Sequence, residues 1–369
     1  MTRLLAWMRS LIGFAVLAYL ASLLILIAAL RLIGERWWPL GIILYLPRWG
    51  FALPLPVILL GQLVVGPRRW PWLTVSLLSA LLILFPLMGL SLSPSGMLHR
   101  RIETTVPNGS ATPSGNTSAA RSRGAVRLLS YNVNSGNFGI PSIVSQIRDA
   151  NADVLLLQEA VGVDSDAFRA GLPGYHFHAF GQFVTASRFP IAEVWLPPDV
   201  DVAGRRHSAR FVRYRVQTPT GLVWIYSVHP ISPREGLDEL RGAGLRGELR
   251  KGRLFEPSAK GLIARNVTHR TAQVRLLAED IARAQGPIIV AGDTNLPDLS
   301  RVKTEFLGGL QDGFASVGNG FGYTFPGAKH PWMRIDRILA NRDWRFLHFE
   351  VEVTSASDHL AIVADIERR

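Results

Sequence analysis

The stretch Ile288–Asn295 (IIVAGDTN) decides what kind of domain the C-terminal part of the chain forms. Its isoleucines and valine are typical of a buried strand, and the glycine, aspartate, threonine and asparagine that follow are typical of a loop. Because polar residues at strand ends assemble the sites of α/β proteins, the stretch predicts a functional loop. Taken alone, it is equally typical of an ordinary turn.

The same arrangement, an apolar run beside polar residues, recurs elsewhere after residue 125. Asn132, Glu159 and His229 each close an apolar run. Asp336 lies inside one, and Asp358-His359 precedes another. Most of these side chains have an ordinary structural explanation, as a turn residue, a helix cap or a partly buried histidine. Asp336 is the exception, because a carboxylate among isoleucines and leucine is costly to bury unless it is paired.

A joint explanation is that these side chains converge on one site. Gathered carboxylates repel one another, and a divalent cation offsets that repulsion. Hard oxygen ligands select Mg²⁺ or Mn²⁺. The sequence has no cysteine, which excludes disulfides, thiolate metal sites and a cysteine nucleophile. The residues therefore predict a site that depends on magnesium or manganese.

Apolar runs that alternate with amphipathic stretches predict an α/β domain over residues 127–369. The predicted strands are Val126–Val133, Asp153–Gln158, Phe183–Ser187, Phe211–Gln217, Val223–Val228, Ile288–Ala291, Arg334–Ala340, Phe346–Val353 and Ala361–Asp365. The predicted helices are Pro141–Ala150, Asp164–Ala170 and Thr271–Ala284. Because strands outnumber helices, we expect two sheets packed together rather than one doubly wound sheet. The sequence shows no internal repeat.

Residues 1–92 are dominated by apolar side chains, which predict transmembrane helices at about 11–32, 49–66 and 71–92. The first span contains 20 uncharged residues, Leu11–Leu30. As a helix they extend about 30 Å, the thickness of a bilayer core. Pro54 and Pro56 weaken the second span, for which a re-entrant segment is the alternative.

Residues 93–126 are rich in Ser, Pro, Gly, Thr and Asn, which predicts a flexible linker. Residues 1–126 contain 11 Lys and Arg against 2 Asp and Glu, which leaves 29 against 26, a net +3, for residues 127–369. A domain this close to neutral is not typical of a processive nucleic-acid binder. Arginines lie in the segments at both ends of the predicted spans. The spans predict a multi-pass protein of the inner or plasma membrane, and the short Arg68–Arg69 loop and the composition of the linker favour a C-terminal domain outside the cytoplasm.

The order of the polar motifs resembles the endonuclease/exonuclease/phosphatase superfamily, the DNase I-like proteins. The motifs are, in chain order, Asn132, Glu159, His229, Asp293–Asn295, Asp336 and Asp358–His359. The membrane region is similar, more narrowly, to membrane-bound bacterial proteins of the VanJ and YafD type. The resemblance implies a four-layer α/β sandwich of two packed mixed β-sheets flanked by helices. It also implies a Mg²⁺-dependent phosphatase or phosphodiesterase.

The resemblance implies a role for each residue at the metal and the nucleophile. Glu159, with help from Asn132 and Asp358, is expected to bind the metal. Asp293 is expected to align and deprotonate the attacking water. Asn295 is expected to steady the nucleophile and a phosphoryl oxygen. The implied reaction is in-line attack of water on phosphorus, without a covalent intermediate.

The resemblance implies that two histidines contact the phosphate, His229 directly and His359 in an orientation set by Asp336. Arg234 opens the basic segment Pro233–Lys260. That segment is either a solvated loop or a flap that meets a diphosphate or an anionic membrane surface. In the second case Arg234 binds the substrate.

Three functions fit these residues. The first is hydrolysis of a phosphate or diphosphate on a lipid-linked substrate such as a polyprenyl diphosphate, because an anchor keeps the site near the bilayer. The second is an extracytoplasmic nuclease, which the near-neutral domain and the anchor disfavour. The third is a non-catalytic binding module, which the complete set of polar residues disfavours. The expected partners are the lipid bilayer and a phosphorylated lipid or other phosphoester. Nucleic acid is less favoured, and no protein partner is inferred.

Overall fold

The computed structural model describes residues 2–64, 70–93, 124–233, 257–327, 330–353 and 356–369. The chain divides into two compact units. We call the first the helical unit; it comprises Met1–Leu90 and Pro297–Thr304. We call the second the sheet unit; it comprises Ser91–Leu296 and Glu305–Arg369. The predicted boundaries at residues 92 and 127 stay predictions, and a short segment from the C-terminal half groups with the helical unit.

The helical unit is built from apolar helices. They are α1 (Thr2–Leu32), α2 (Trp38–Tyr45), α3 (Pro54–Val64) and α4 (Trp70–Leu82), with 3-10 turns at Gly34–Arg36 and Arg48–Ala52 and a π-helical turn at Ile83–Leu87. Two segments, Ala6–Leu32 and Trp70–Leu87, are long and apolar enough to cross a membrane, with mean hydropathies of 2.7 and 1.8. They correspond to the first and third predicted spans.

Of the three predicted spans, the second, 49–66, does not form one straight helix, so the described residues contain two candidate spans, or three if a bent pair of helices counts as one. Helix α2 and the segment Arg48–Leu63 form a pair of helices bent by 95°, so neither passes as a straight span. The physical reason is proline, which lacks an N–H donor and clashes with the preceding helical turn. Pro47 separates the two helices, and Pro54 and Pro56 begin α3. A bent pair is typical of a broken span or of the re-entrant alternative.

A buried carboxylate holds the distant segment Pro297–Thr304 in the helical unit. Glu35 accepts hydrogen bonds from the Ser300 hydroxyl and from the Arg301 backbone N–H at 3.0 Å. Leu299 is buried in the apolar cluster formed by the helices. The hydrogen bonds offset the cost of burying the Glu35 charge, and Leu299 adds apolar contact.

The strands of the sheet unit, within the described residues, fall into two large sheets and two small pairs. They are β1 (Ser91–Leu92), β2 (Val126–Asn132), β3 (Val154–Gln158), β4 (His176–Phe180), β5 (Phe183–Ser187), β6 (Ile191–Trp195), β7 (Val200–Val202), β8 (Arg205–His207), β9 (Phe211–Thr218), β10 (Gly221–Val228), β11 (Ile288–Asp293), β12 (Gln311–Asp312), β13 (Asn319–Gly320), β14 (Asp336–Ala340), β15 (Trp344–Glu352) and β16 (Ala361–Arg368). The helices are α5 (Ile140–Ala150), α6 (Asp166–Ala170), α7 (Pro257–Arg283) and α9 (Gly313–Val317), while α8 (Arg301–Leu307) begins in the helical unit.

The two large sheets have the same pattern of strand directions. Their orders are β12-β14-β11-β10-β9-β6 and β15-β16-β2-β3-β5-β4. In each, one parallel pair, β10–β11 or β2–β3, is flanked on both sides by antiparallel strands. Both sheets are therefore mixed, and their central strands end at a common edge.

Successive side chains of a strand point to opposite faces of its sheet, and this alternation produces the layers of the domain. In β2, Leu128 belongs to the apolar core between the sheets, and Leu129 packs with Ile143 and Ile147 of α5. On the outer face of the other sheet, Asp280 of α7 accepts a hydrogen bond from the Tyr226 hydroxyl at 2.8 Å. The result is a sandwich of two mixed sheets with helices on both outer faces, as expected.

The strands that the sequence analysis missed lie at sheet edges. Strands β4 and β6 close the two sheets, and most of their side chains are exposed or half-buried. Edge strands bury too little surface to show a clear apolar pattern. Helix α7 starts at Pro257 rather than at the predicted Thr271. Its first half, residues 257–270, has three large apolar side chains, Leu262, Ile263 and Val267, among polar residues and glycine.

The predicted linker 93–126 is ordered at its start. Strand β1 pairs antiparallel with β13, and the Ser93 N–H donates to Asn319 Oδ1 at 2.8 Å. Residues 94–123 lie outside the described residues, so their flexibility stays a prediction. The chain therefore joins the sheet unit immediately after the last apolar helix.

Gly292 allows the parallel strands β10 and β11 to approach each other. Its φ is +152°, and an added Cβ would lie 1.9 Å from the Val228 carbonyl oxygen. We expect Gly292→Ala to lower the free energy of unfolding by at least about 2 kcal/mol, because backbone atoms must move. Thermal unfolding of the purified protein measures the change. Gly309→Ala is the matched control, since its Cβ would meet no atom within 4 Å. Equal melting temperatures for the two variants would contradict this explanation.

Candidate active site

Polar side chains from both large sheets meet at the edge where the central strands end. Asn132 ends β2, Glu159 follows β3, His229 follows β10, Asp293 ends β11, Asp336 begins β14 and His359 precedes β16. The two parallel pairs bring the ends of β2, β3, β10 and β11 to this edge. Strand β14 runs antiparallel to β11 and places Asp336 directly opposite Asp293. The topology therefore collects residues that are far apart in sequence.

An amide links carboxylates from the two sheets. Asn132 Nδ2 donates to Glu159 Oε1 at 2.9 Å and to Asp293 Oδ2 at 3.2 Å. Asn132 Oδ1 accepts the Asn134 N–H at 3.1 Å, which sets the orientation of the amide. Asn132 thus holds two negatively charged groups near each other.

Two imidazoles face the same carboxylate oxygen. His229 Nε2 lies 3.5 Å from Asp293 Oδ2, and His359 Nε2 lies 3.7 Å from it. His229 Nε2 is also 3.5 Å from Glu159 Oε1. Both rings are buried. A ligand oxygen bound here would meet one carboxylate and two ring nitrogens.

Each imidazole has a second contact, at its Nδ1 atom, which holds the ring in place. His359 Nδ1 lies 2.9 Å from Asp336 Oδ2, and His229 Nδ1 lies 2.6 Å from Gln182 Oε1. The sequence analysis missed Gln182, which is in the turn between β4 and β5. A glutamine in a hairpin turn belongs to no motif, so only the folded structure identifies it. The two histidines therefore differ in their partners, because the aspartate that contacts His359 is charged and the glutamine that contacts His229 is neutral.

Charge pairing sets the protonation of Asp293 and His359. Burial alone would raise the pKa of Asp293, but the His359 charge, the His229 hydrogen bond and the Asn295 N–H lower it to about 2. Burial alone would lower the pKa of His359, but the charges of Asp336 and Asp293 and the hydrogen bond to Asp336 raise it to about 9. At neutral pH the site therefore contains a carboxylate facing an imidazolium.

The loop after β11 has a constrained backbone. Asn295 has φ +51°, donates its N–H to Asp293 Oδ1 at 2.9 Å and donates Nδ2 to the Pro230 carbonyl at 3.0 Å. Glu159 also has a positive φ, +48°. Left-handed backbone is unfavourable for non-glycine residues and is concentrated at functional sites. The fold thus imposes the positions of both side chains.

Neighbouring residues fix the turn that carries His359. The Ser357 hydroxyl donates to the Asn132 carbonyl at 2.7 Å and accepts the His359 N–H at 3.2 Å. The ring of Phe325, which is buried, lies 4.6 Å from the His359 ring centre to centre. Asp358, half-buried beside His359, adds to the rise in the pKa of His359.

The structure thus brings most of the predicted site residues to one edge. Within the described part of the chain, the acidic and histidine ligand atoms that lie within 4.8 Å of one another belong to Asp293, Asp336 and His359. That cluster includes neither Glu159 nor Asp358, so their joint binding of a metal stays a prediction. Arg234 lies outside the described residues, and its role also stays a prediction.

The donor set fits a hard divalent cation. Carboxylates outnumber full positive charges around Asp293, so a cation would balance the charge. Glu159 is partly exposed beside Asn132 and offers oxygen ligands, which Mg²⁺ and Mn²⁺ prefer. Asn132 turns its amide nitrogen towards the carboxylates. In this arrangement it supports Glu159 and Asp293 rather than presenting its own oxygen between them.

Part of the chain is similar to a known protein family and to several solved structures. The sequence pattern of the Endonuclease/Exonuclease/phosphatase family matches residues 129–359. Among similar solved structures, an endonuclease/exonuclease/phosphatase from Bacteroides vulgatus has 17% identity and a TM-score of 0.48, with 66% of this chain and 99% of that chain covered. A mannosyl-6-phosphatase from Bacteroides thetaiotaomicron has 16% identity and a TM-score of 0.46, with 65% and 99% covered. TDP2 from D. rerio, solved with a single strand DNA product, has 18% identity and a TM-score of 0.46, with 66% and 99% covered. No curated protein matches the sequence.

Proposed function

This chain belongs to the endonuclease/exonuclease/phosphatase family, and from that premise we propose a membrane-anchored, Mg²⁺- or Mn²⁺-dependent hydrolase of lipid-linked phosphate or diphosphate. Members of the family hydrolyse phosphoester bonds. The observation that carries the proposal is the convergence of two imidazoles on one oxygen of Asp293. This geometry suits a water and a phosphoryl group bound side by side.

Asp293 acts on the attacking water. Its carboxylate is ionised at neutral pH, since its pKa is about 2. A carboxylate with so low a pKa is a weak base before the reaction begins. The larger contribution of Asp293 is therefore to orient the water for in-line attack. It takes the proton as the water oxygen bonds to phosphorus, while the bond from phosphorus to the leaving oxygen breaks on the opposite side. Asn295, which is hydrogen-bonded to Asp293, steadies the same region.

The histidines bind the phosphoryl oxygens. His359 carries a positive charge at neutral pH, and this charge offsets the negative charge that develops in the transition state. His229 approaches from the other side of Asp293 Oδ2. A divalent cation bound at Glu159 would supply Lewis-acid stabilisation of the phosphoryl group.

The apolar helices support a lipid-borne substrate. Two segments are apolar enough to span a bilayer, and an anchored enzyme meets membrane-borne substrates at a raised effective concentration. We extend the proposal to multi-pass insertion, with the sheet unit outside the cytoplasm. This arrangement would match the membrane-bound branch that the sequence resembles.

The test is turnover by the full-length protein in lipid nanodiscs, with Mg²⁺, with Mn²⁺ or with a chelator. The panel contains a polyprenyl diphosphate, sphingomyelin, a sugar phosphate and supercoiled plasmid. We expect metal-dependent phosphate release that is fastest from the lipid diphosphate. Nicking of the plasmid without lipid turnover would replace the proposal with a nuclease. No turnover, together with no metal-induced rise in melting temperature, would indicate a binding module.

A further inference from the structure

Arg337 is a buried charge beside the candidate site, and the proposed mechanism does not use it. It follows Asp336 in β14, its partner in β11 is Gly292, and only 1% of the residue is exposed. A guanidinium stays charged at ordinary pH, so its burial is costly unless strong hydrogen bonds replace those to water. The partners of Arg337 therefore show which part of the protein depends on this charge.

The guanidinium of Arg337 holds the backbone directly after Asn295. Its Nη2 and Nε atoms donate to the Leu296 carbonyl at 3.0 and 3.3 Å. Nη2 also donates to the Arg334 carbonyl at 3.0 Å. Two donors from one planar group fix the direction of a carbonyl more firmly than a single donor does. Leu296 is thus tied to the strand that carries Asp336.

Asp312 holds the guanidinium in this position. Arg337 Nη1 lies 2.6 Å from Asp312 Oδ2, and Arg334 Nη1 lies 3.3 Å from Asp312 Oδ1. Asp312 ends β12, which pairs with β14, and its Oδ1 also accepts the Ala315 N–H at 3.2 Å. The carboxylate therefore offsets the buried positive charge and is itself fixed by the backbone.

The loop that Arg337 contacts needs support from its surroundings. The left-handed backbone of Asn295 is unfavourable for a residue other than glycine and persists only where neighbouring groups impose it. Before Asn295, the Thr294 N–H and hydroxyl both donate to the Ile335 carbonyl, at 2.9 and 2.7 Å. After Asn295, Arg337 holds the Leu296 carbonyl. The chain around the start of β14 thus fixes both neighbours of Asn295.

Asp336 and Arg337 support the site from opposite faces of one sheet. Consecutive side chains of a strand alternate between the two faces. Asp336 faces the other large sheet, where it contacts His359 at 2.9 Å. Arg337 therefore lies on the outer face, where it contacts Leu296. Two consecutive residues thus hold an imidazole and the loop of Asp293.

We propose that Arg337 is a positioning residue, which fixes the Leu296 carbonyl and thereby keeps Asn295 and Asp293 aligned for attack on phosphorus. Small displacements of groups that orient the reactants lower the rate strongly, so the loss of such support changes kcat more than KM. The effect on turnover rests on the proposed hydrolase function. The anchoring of the loop does not depend on hydrolysis.

Turnover by the full-length protein in lipid nanodiscs tests the positioning role. We expect Arg337→Met to lower kcat for the lipid diphosphate by at least about tenfold, with much less change in KM. The matched control is Arg127→Met, because Arg127 also pairs with a carboxylate, Asp365 at 2.6 Å, but lies at the opposite end of β2 from Asn132. This control is expected to lower the melting temperature and to leave kcat unchanged. No loss in Arg337→Met, or an equal loss in both variants, would overturn the positioning role.

A double-mutant cycle shows whether Arg337 acts through Asn295. Asn295→Ala removes the side chain that the anchored loop presents, so the addition of Arg337→Met should lower kcat by no more than about twofold further. The same fold-loss in both backgrounds would mean that the two residues act independently, and would contradict the proposal. Arg337→Lys is the second variant if Arg337→Met does not fold. It keeps the charge beside Asp312 but not the planar fork, and we expect it to lose turnover at a nearly natural melting temperature.

Hydrogen exchange separates the anchoring of the loop from hydrolysis. The N–H groups of Thr294, Asn295 and Leu296 are all hydrogen-bonded. We expect them to exchange at least about tenfold faster in Arg337→Met, with no such change in Arg127→Met. Faster exchange without turnover by the natural protein would keep the anchoring and remove the proposed hydrolase. Metal-dependent turnover by the natural protein, with unchanged exchange in Arg337→Met, would keep the hydrolase and overturn the anchoring.

Discussion

Replacement of Asp293 by asparagine is expected to lower kcat for phosphate release by at least about 10³-fold. Asparagine has nearly the same shape and keeps an oxygen for the Asn295 N–H, which now lies 2.9 Å from Asp293 Oδ1. It removes the charge that orients and deprotonates the water and that faces both imidazoles. The loss should therefore appear in kcat more than in KM.

Steady-state turnover of the lipid diphosphate measures this effect, and thermal unfolding shows that the variant is folded. Asp201→Asn, an exposed aspartate in β7, is the matched control and should retain full activity. If Asp293→Asn were folded and kept activity within a few-fold of the natural protein, the proposed role of Asp293 would have to be abandoned.

Replacement of Asp336 by asparagine is expected to lower kcat by about 10²-fold at neutral pH and to change the pH profile. The charge of Asp336 is the leading contribution that raises the pKa of His359, to about 9. A raised pKa means that the imidazolium is present at neutral pH and is lost as the pH rises through about 9. Activity that needs the imidazolium must fall in the same range.

Without the Asp336 charge, the pKa of His359 falls and the alkaline decline moves to lower pH. The pH dependence of kcat for the natural protein and Asp336→Asn measures the displacement. A merely structural role for Asp336 would lower activity at every pH without moving the decline. Asp201→Asn again serves as the control, with an unchanged profile.

The residue types at the site were predictable because each lies at the end of an apolar run, inside one or directly before one. Asp293 and Glu159 follow strands that consist almost entirely of apolar side chains, a local pattern that needs no tertiary information. Gln182 was not predictable, because it contacts His229 across 47 residues of chain and has no apolar run to mark it. The bend at the second predicted membrane span was not predictable for a different reason, since hydropathy alone does not register an angle of 95° between two helices.

The sequence by itself determined the chemical groups, their order along the chain and the apolar segments, because composition and strand ends are local properties. Only the tertiary structure decided which groups meet. Asn132 and Asp293 are 161 residues apart, yet they share a hydrogen bond. Glu35 reaches Ser300 across 265 residues. Such contacts depend on the strand order of two sheets that repeat one pattern of pairing without any repeat in sequence. No local pattern encodes that arrangement.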